Sequence, residues 1–387
     1  MEENKKIRVL VVFGAIANGG VEHIITDIFN NIDKTVFESE AVYHAGDCTL
    51  EDVPLLKETW NEMEQIPQFN TINWYSYRKW WKNYIKEHKH FDIIHLNYLD
   101  SAFCFIDLFN DVKTISIGHA HNPKSRPYSI GQLVSDIISY PARFMCKYLI
   151  ACSKQTALEI FGNKATETKT SILLNGIDLT RFRYDTILRN SIRNNYNAGN
   201  KIIIGHVGRF AKQKNHEFII NVFELFHKKH SNSELWLIGE GDLKHNIKDL
   251  VKEKGINSAV RFIGVVNNVE AYMNAFDLFL FPSTYEGLGI VAVEAQATGL
   301  PCIVSDRVPD EADIKAGLFE KIPLESPLSE WQNRISNALH NIKREDQAAN
   351  TKIAGFDIQD KASWVENFYK SIYFKQNNST SDPSQKE

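Results

Sequence analysis

The sequence predicts an α/β protein with two doubly wound, Rossmann-like domains that face each other across a cleft. Three observations lead to this prediction. The chain has 387 residues, which is more than one ordinary domain holds. Short apolar runs alternate with helical patterns, as in parallel sheets covered by helices. The alternation stops at a polar stretch, 188–200, and then begins again, so we expect two sheets.

The first series starts with a continuous apolar strand and ends before the polar stretch. Its predicted strands are 7–13, 91–96, 112–118, 148–151 and 171–174. A helix is expected at 21–31, and another begins after Ser153, a typical N-cap residue. These elements predict a first domain at 1–185.

The second series repeats the alternation. Its predicted strands are 201–207, 235–239, 260–263, 276–281 and 301–304, and its predicted helices are 215–229, 242–254 and 290–298. They form a second domain at 200–355. An amphipathic helix at 356–373 is expected to return to the first domain, and the polar tail 375–387 is expected to be disordered.

Composition excludes several classes of protein. Hydrophobic residues make up 43% of the chain and charged residues 24%, a globular profile, and the net charge of −4 argues against nucleic acid as a partner. The five cysteines include no C-x-x-C pair and are expected to be reduced thiols. Because the first residues do not form a signal peptide and no apolar stretch is long enough to span a bilayer, we expect a cytoplasmic protein.

The most informative segment is E-G-L-G-I-V-A-V-E, from Glu286 to Glu294. It follows a buried apolar strand and turns into a helix. Backbone N–H groups at a helix N-terminus form a ready anion site. A carboxylate on each side of such a site suits a nucleotide sugar, which has hydroxyl groups on both sides of a diphosphate. The alternative is a helix-entry turn with surface carboxylates.

A second loop of the same domain carries two cations. Arg209 and Lys214 lie in 208–215, after the first strand of the second series. Near a diphosphate they would stabilise the leaving phosphate. The alternative is a solvated basic loop. In either case we expect Lys214 to be exposed and to contribute little to the stability of the fold.

Two loops that follow strands of the first domain also contain candidate site residues. Gly19 and Gly20 would let a ligand approach the backbone closely, or they form only a tight turn. His119 and His121 follow the strand 112–118. They lack a third ligand at a convincing spacing, so we do not predict a metal site. A contact with a sugar hydroxyl, charge stabilisation, or a structural hydrogen bond remains open for them.

Seven segments occur in the order of one known family: G-G-V-E at 19–22, H-A-H-N at 119–122, C-S-K at 152–154, N-G-I-D at 175–178, G-R-F-A-K-Q-K-N at 208–215, L-I-G-E-G-D at 237–242 and E-G-L-G-I-V-A-V-E at 286–294. With them the chain resembles the retaining glycosyltransferases of the GT-B fold, in the large fourth family. The closest resemblance is to transferases that build bacterial exopolysaccharide, capsule or related surface glycans.

The resemblance implies roles in the second domain. Arg209 and Lys214 would bind the diphosphate of the sugar donor. Glu294 would hold the ribose hydroxyls and Glu286 the hydroxyls of the transferred sugar. The distal phosphate would bind backbone N–H groups of three consecutive residues, Leu288, Gly289 and Ile290.

The resemblance also implies roles in the first domain. Gly20, beside Gly19, would approach the phosphates of the sugar donor, and His119 would lie near the reactive end of the sugar, with His121 as second choice. The reaction would move a hexose from a nucleotide sugar, with a UDP-sugar favoured, to a glycan or lipid-linked acceptor with retention of configuration. The alternatives are another GT-B enzyme, such as a nucleotide-sugar epimerase, and a non-catalytic nucleotide-sugar-binding subunit.

No D-x-D triplet occurs in the chain, so the usual acidic motif for a metal on a nucleotide diphosphate is missing. We therefore expect no metal and no other cofactor, with protein cations and a helix dipole neutralising the leaving group.

A basic amphipathic segment suggests contact with a membrane surface. Aromatic and apolar residues recur at helical spacing in 74–85, and lysines line another face. Such a helix could rest on the anionic inner leaflet of the cell membrane and meet a lipid-linked acceptor. The alternative is that the aromatic side chains pack on the first sheet and the lysines are only solvated.

Overall fold

The computed structural model describes residues 5–15, 20–45, 50, 54–60, 63–69, 72–121, 137, 141–340 and 344–379. The chain divides into two compact units. One comprises Met1–Gly176 and Ile358–Glu387, and the other comprises Ile177–Asp357. The unit boundary follows Gly176, ahead of the predicted boundary at 185, because the Ile177 N–H already donates to the Phe356 carbonyl at 2.7 Å inside the second unit.

The first unit is a seven-stranded parallel sheet with the order β3-β2-β1-β4-β5-β6-β7. Its elements are β1 Ile7–Ala15, α1 Gly20–Asn31, β2 Phe37–His44, α2 Pro54–Thr59, β3 Met63–Ile66, α3 Trp74–Glu87, β4 Ile93–Leu96, α4 Ile106–Asp111, β5 Ile115–Ala120, α5 Ala142–Met145, β6 Tyr148–Ala151, α6 Lys154–Lys169 and β7 Thr170–Ile172. Ser153 caps α6, accepting the Thr156 N–H at 3.1 Å as predicted.

The second unit is a six-stranded parallel sheet with the order β10-β9-β8-β11-β12-β13. Its elements are α7 Thr186–Asn195, β8 Ile202–Val207, α8 His216–Lys229, β9 Ser233–Ile238, α9 Lys244–Glu253, β10 Val260–Gly264, α10 Val269–Ala275, β11 Leu278–Phe281, α11 Ile290–Ala297, β12 Cys302–Ser305, β13 Phe319–Ile322, α12 Leu328–His340 and α13 Ala348–Ile353. Two parallel sheets confirm the predicted α/β class.

In both sheets the strand order reverses beside the first strand of the series. Strand β1 lies between β2 and β4, and β8 lies between β9 and β11. Loops that leave such a reversal point run in opposite directions and open a crevice at the carboxyl ends of the strands. The sequence-predicted loops after β1, β8 and β11 lie at these two points.

The polar stretch 188–200 is not only a connection, because most of it belongs to helix α7. Asp185 caps this helix, accepting the N–H of Ile187 at 2.7 Å. Arg189 and Arg193 reach Asp277 at 2.6 and 3.2 Å. The polar residues between the two predicted series are therefore the ones that hold α7 to the second sheet. Strands β2, β3 and β13 were also not predicted.

The last helix, α14, spans Ile358–Ser379 and belongs to the first unit. Its return was predicted, but the disordered tail predicted at 375–387 is wrong for residues 375–379, which are helical. Gln376 is bound there, accepting from Lys147 Nζ at 2.8 Å and donating to the Lys113 carbonyl at 2.5 Å. Residues 380–387 lie outside the described residues.

The aromatic stripe of α3 is mostly core. Tyr77 and Trp81 are fully buried and Tyr84 nearly so. Trp81 stacks on Phe105 with ring centroids 4.1 Å apart, so the packing alternative is correct for these residues. Trp74 differs, with 52% of its surface exposed. Among the described helices, none is both long and apolar enough to cross a bilayer.

Candidate functional site

The two loops that leave the reversal point of the second sheet are bound to each other. The loop after β8 contains Gln213, whose carbonyl accepts the Thr284 N–H at 2.8 Å and whose amide donates to the Tyr285 carbonyl at 3.0 Å. Asn215 donates to the Pro282 carbonyl at 3.2 Å. These bonds hold the loop after β8 against the loop after β11.

This docking brings Lys214 and Glu286 together. Lys214 Nζ lies 2.6 Å from Glu286 Oε1 and 4.7 Å from the centroid of the Phe281 ring. Only 17% of the lysine side chain and 7% of the glutamate side chain are exposed. The expectation that Lys214 is an exposed loop lysine is therefore wrong. Its charge is enclosed by a carboxylate and an aromatic face, and both stabilise it there.

The same loop leads into α11 through a residue that has to be glycine. Gly289 has φ +81°, and a Cβ at this position would lie 3.1 Å from Val308. Leu288 is buried before it, and Ile290 is the first residue of the helix. The first N–H groups of a helix have no partner inside it, so this turn directs free donors out of the loop that carries Glu286. Glu294 lies half-buried within α11.

Arg209 lies at the start of the loop after β8 and is exposed. Glycines of the loop after β9 shape its surroundings: a Cβ on Gly239 would lie 2.3 Å from the Gly208 carbonyl oxygen, and one on Gly241 would lie 2.7 Å from the Phe210 carbonyl oxygen. Burial and Glu286 raise the pKa of the Tyr285 hydroxyl, while Arg209 acts against that rise. The guanidinium is thus within electrostatic reach of the loop after β11.

Two buried histidines beside this loop were not predicted. His206, on β8, donates from Nδ1 to the Leu280 carbonyl at 2.8 Å, and its buried Nε2 has no partner among the described residues. The His216 ring stacks on Phe210 at 4.1 Å and lies 4.8 Å from the His206 ring. Burial lowers the pKa of His216 to about 4 and that of His206 well below its ordinary value. Both are neutral, so the positive charge here comes from Lys214 and Arg209. A lone polar residue within the apolar strand I-I-I-G-H-V was the available signal.

In the first unit, the predicted histidines lie at the carboxyl end of β5. His119 is 2% exposed, and its Nδ1 lies 3.0 Å from Nε2 of His95 on the neighbouring strand β4. The ring of His121 lies 3.9 Å from that of His119, and its Nε2 lies 2.9 Å from Oδ1 of Asn97. His95 and Asn97 were missed because their strand, I-I-H-L-N, carries no motif of its own.

These histidines are neutral and incompletely bonded. Burial lowers the pKa of His95 and of His121 to about 3 and that of His119 well below its ordinary value. Among the described residues, no partner reaches His119 Nε2, His121 Nδ1 or Asn97 Nδ2, although all three atoms are buried. Buried polar atoms without partners are rare because each costs about 1–3 kcal/mol. The cluster is therefore suited to a polar ligand.

The glycine loop of the first unit is only partly described. Gly20 is the exposed first residue of α1, and Gly19 lies outside the described residues. Among the described residues, no group of three or more histidine, cysteine, aspartate or glutamate side chains is arranged to hold a metal ion. The four cysteines in the described part, Cys104, Cys146, Cys152 and Cys302, are buried thiols.

Two family models match the chain one after the other. The model described as Glycosyltransferase Family 4 matches residues 18–181, and the model described as Glycosyl transferases group 1 matches residues 189–354. A Bacillus subtilis protein described as "Putative glycosyltransferase EpsF" is 27% identical over 379 residues, which are 96% of this chain and 98% of that protein. The O-antigen biosynthesis glycosyltransferase WclY of Escherichia coli is 28% identical over 57% of this chain and 63% of that protein.

Solved structures resemble the whole chain. HepE from Anabaena, in complex with UDP and glucose, has a TM-score of 0.77 at 18% identity, covering 94% of this chain and all of that chain. WaaG, a glycosyltransferase involved in lipopolysaccharide biosynthesis, has a TM-score of 0.66 at 16% identity, covering 93% of this chain and 95% of that chain. These likenesses confirm the predicted GT-B fold class.

The Lys214–Glu286 pair predicts a measurable loss of stability when one partner is removed. Lys214→Ala leaves a buried carboxylate without its cation, so we expect the free energy of unfolding to fall by about 1–3 kcal/mol. Adding Glu286→Gln removes the stranded charge and should restore part of the loss. Urea unfolding followed by fluorescence measures both. Equal stability of Lys214→Ala and wild type would contradict the enclosed pair.

The buried histidines predict that acid destabilises the fold. The pKa values of His44 and His216 are lowered to about 4 and those of His95 and His121 to about 3, largely by burial. In the unfolded chain these groups return to a pKa of about 6.5 and bind protons first. Stability is therefore complete above pH 6.5 and lost as the pH falls, by up to about 2 kcal/mol per histidine at pH 5.

Urea midpoints at pH 7 and pH 5 test this pH dependence. His245→Gln is the matched control, because 85% of the His245 side chain is exposed and its removal should leave the pH dependence unchanged. Identical midpoints at the two pH values would show that the histidines are not held neutral.

Proposed function

We propose that this chain, a glycosyltransferase of the two-domain type described by the Family 4 and group 1 models, moves a hexose from a nucleotide sugar to a glycan or lipid-linked acceptor. The observation that carries the proposal is the enclosed Lys214–Glu286 pair at the turn into α11, where a cation, a carboxylate and helix N–H groups share one loop region. The phosphate oxygens of a sugar diphosphate can bind the cation and the helix N–H groups, and its sugar hydroxyl groups can bind the carboxylate.

The diphosphate binds the cationic side of this region. Lys214 has three N–H bonds and gives one to Glu286, so two are available to phosphate oxygens. Arg209 is exposed, and no carboxylate in the described part of the chain pairs with it. The N–H groups at Leu288, Gly289 and Ile290 bind the distal phosphate. This assembly neutralises the charge that grows on the leaving diphosphate, without a metal ion or another cofactor.

The hydroxyl groups of the sugar donor bind the carboxylates. Glu286 contacts the transferred hexose, held in place by Lys214, and Glu294 holds the ribose. A UDP-sugar is the favoured donor, and the solved complex of HepE with UDP and glucose supports it by analogy of fold. The acceptor belongs to the synthesis of a bacterial surface polysaccharide, as the names of EpsF and WclY suggest for those relatives.

The first unit supplies neutral groups. His119, with His121 beside it, contacts oxygens at the reactive end of the sugar, and Gly20 lets the phosphates approach the backbone. Among the described carboxylates of the site, the proposed reaction uses Glu286 and Glu294. Configuration is retained by attack on the face that the diphosphate leaves, with a phosphate oxygen of the sugar donor taking the proton of the acceptor hydroxyl.

Helix α3 gives the enzyme a surface for the membrane that carries a lipid-linked acceptor. Ile72, Trp74 and Tyr75 are exposed by 92%, 52% and 70% at the start of this helix. Lys79, Lys82 and Lys86 are exposed further along it, and Lys89 is exposed just after its end. Aromatic groups followed by lysines suit the interface of an anionic bilayer, so the protein works in the cytoplasm at the inner face of the cell membrane.

The phosphate-binding role is tested at Arg209, because removing Lys214 also lowers stability. Arg209→Ala should lower turnover of a UDP-sugar about a hundred- to a thousandfold, as expected when one donor to a developing charge is lost. Glu294→Ala should mainly weaken UDP binding, measured by calorimetry, because ribose contacts change little during the reaction. Lys212→Ala, exposed in the same loop, is the control and should behave as wild type. Normal turnover in Arg209→Ala would exclude this loop from the reaction.

Metal independence follows from the missing D-x-D triplet and the cationic loop. Transfer should continue at an unchanged rate in excess EDTA, because protein groups neutralise the leaving diphosphate. Chromatographic detection of UDP measures it. A rate that falls in EDTA and recovers with manganese or magnesium would contradict this proposal.

Membrane contact predicts binding to anionic vesicles. The protein should sediment with phosphatidylglycerol vesicles at low salt and much less with phosphatidylcholine vesicles. Lys82→Glu with Lys86→Glu should reduce sedimentation by reversing charge on α3, while Lys228→Glu with Lys252→Glu, both exposed in the second unit, is the charge-matched control. If both double variants sediment equally, the α3 surface is not the contact.

A further inference from the structure

Three buried side chains of the first unit form a continuous chain of hydrogen bonds that ends at His119. The Tyr369 hydroxyl lies 2.5 Å from His95 Nδ1. His95 Nε2 lies 3.0 Å from His119 Nδ1. The three side chains come from α14, β4 and β5 and are 0%, 1% and 2% exposed. All three side chains are therefore removed from bulk solvent.

Packing holds the far end of this chain in place. The Tyr369 ring lies 5.9 Å from that of Phe37 and 6.4 Å from that of Phe29. One helical turn earlier, Glu366 accepts the Asp33 N–H at 2.7 Å. The hydroxyl of Tyr369 is therefore fixed against His95 by contacts with α1 and β2, independently of any ligand.

The direction of the chain follows from counting protons. A neutral imidazole has one N–H and one acceptor nitrogen. The Tyr369 hydroxyl has one proton, and among the described residues only His95 Nδ1 is within reach to accept it. If both bonds ran the other way, the proton without an acceptor would be that of the Tyr369 hydroxyl, which is fully buried against Phe29 and Phe37 and out of reach of a ligand. In the direction from Tyr369 to His119, the remaining proton is at His119 Nε2, where a ligand oxygen can accept it, so only this direction avoids a lasting cost. Tyr369 therefore donates to His95 Nδ1, and the proton of His95 is on Nε2.

The position of the His95 proton also determines the position of the proton on His119. His95 Nε2–H donates to Nδ1 of His119, so the single proton of a neutral His119 is on Nε2. That Nε2 atom is buried and has no partner among the described residues. The chain of bonds thus leaves one N–H group, in a fixed orientation, without an acceptor in the described part of the protein.

We propose that Tyr369 and His95 are positioning residues that hold His119 as a neutral hydrogen-bond donor at Nε2. The ligand of this N–H is an oxygen lone pair, from a hydroxyl or ring oxygen of a sugar or from a phosphate. For its catalytic consequence the proposal rests on the proposed function: His119 donates to an oxygen of the sugar nucleotide and does not act as a base.

Two observations agree with this assignment. Burial and the neighbouring His121 and His95 hold the pKa of His119 well below its ordinary value, so the ring does not take up a second proton near neutral pH. His121 Nε2 lies 2.9 Å from the Asn97 side-chain oxygen, which makes His121 Nδ1 an acceptor. The two rings then present one donor and one acceptor side by side, the combination that a hydroxyl group can satisfy at both ends.

The tautomers can be observed directly. In the full chain labelled with ¹⁵N-histidine, His119 should show a protonated Nε2 and an unprotonated Nδ1, with a coupling across the hydrogen bond to His95 Nε2. Spectra of His119→Gln and His95→Gln assign the resonances. A wild-type His119 protonated on Nδ1 would overturn the proposal without any variant having to fold.

Tyr369→Phe tests the origin of the tautomer. This substitution leaves one nitrogen of His95 unpaired in either tautomer, so the preference of His119 for protonation on Nε2 weakens. The His119 signals should then move toward values averaged between the Nε2-protonated and Nδ1-protonated tautomers. Tyr373→Phe, one turn later on α14 and half-buried, is the matched control and should leave the spectrum unchanged. An unchanged spectrum in Tyr369→Phe would also overturn the proposal.

A kinetic measurement adds the catalytic consequence. With UDP-glucose as the probe, Tyr369→Phe should lower the kcat of UDP release about three- to tenfold at nearly constant KM, the scale of one weakened hydrogen bond. His95→Gln, whose amide can replace the Nε2 donor, should retain more activity than His95→Leu. Equal kcat in Tyr369→Phe and wild type would limit the chain of bonds to a structural role and overturn its part in positioning. Failure of wild type to release UDP from any UDP-sugar would instead refute the proposed function, while the spectra still decide the tautomer.

Discussion

The loops at the reversal point of the second sheet depend on one ion pair that is largely enclosed by protein. Lys214 and Glu286 come from loops after strands β8 and β11, which adjoin each other in the sheet. Each charge is largely removed from solvent, and each is stabilised there mainly by the other. The pair therefore adds to the hydrogen bonds of Gln213 and Asn215 that hold the two loops against each other.

The two units contribute in different electrostatic ways. Around Lys214 and Arg209 the second unit concentrates positive charge, and its buried histidines remain neutral so that they add none. In the described part of the first unit, the histidines at the ends of β4 and β5 are uncharged. In the proposed reaction, groups of the second unit stabilise the charge that develops on the diphosphate, and neutral groups with directional bonding recognise hydroxyl groups of the sugar.

The sequence was most informative where chemistry is local. The segment around Glu286 and the turn at Gly289 could be identified because strand, glycine and helix follow one another along the chain, and the fold class followed from the same alternation. Contacts between distant segments could not be identified in this way. His95 and Tyr369 are 274 residues apart, and the enclosure of Lys214 depends on a loop 72 residues later. Helix α7 was not predicted, because its arginines have their partners at the end of α10 and in the segment before β11.

Helix α14 has a consequence for the order in which the protein can fold during synthesis. The first unit needs residues 358–379 to cover the sheet face that carries His95, yet these residues are translated after the whole second unit. The second unit, 177–357, is complete before them. The first unit is therefore synthesised first but completes its hydrophobic core last. Until α14 is available, one apolar face of strands β1, β4 and β5 remains uncovered. A ribosome that stops before residue 358 releases a chain with a complete second unit and an open first unit, a species prone to aggregation and easily degraded.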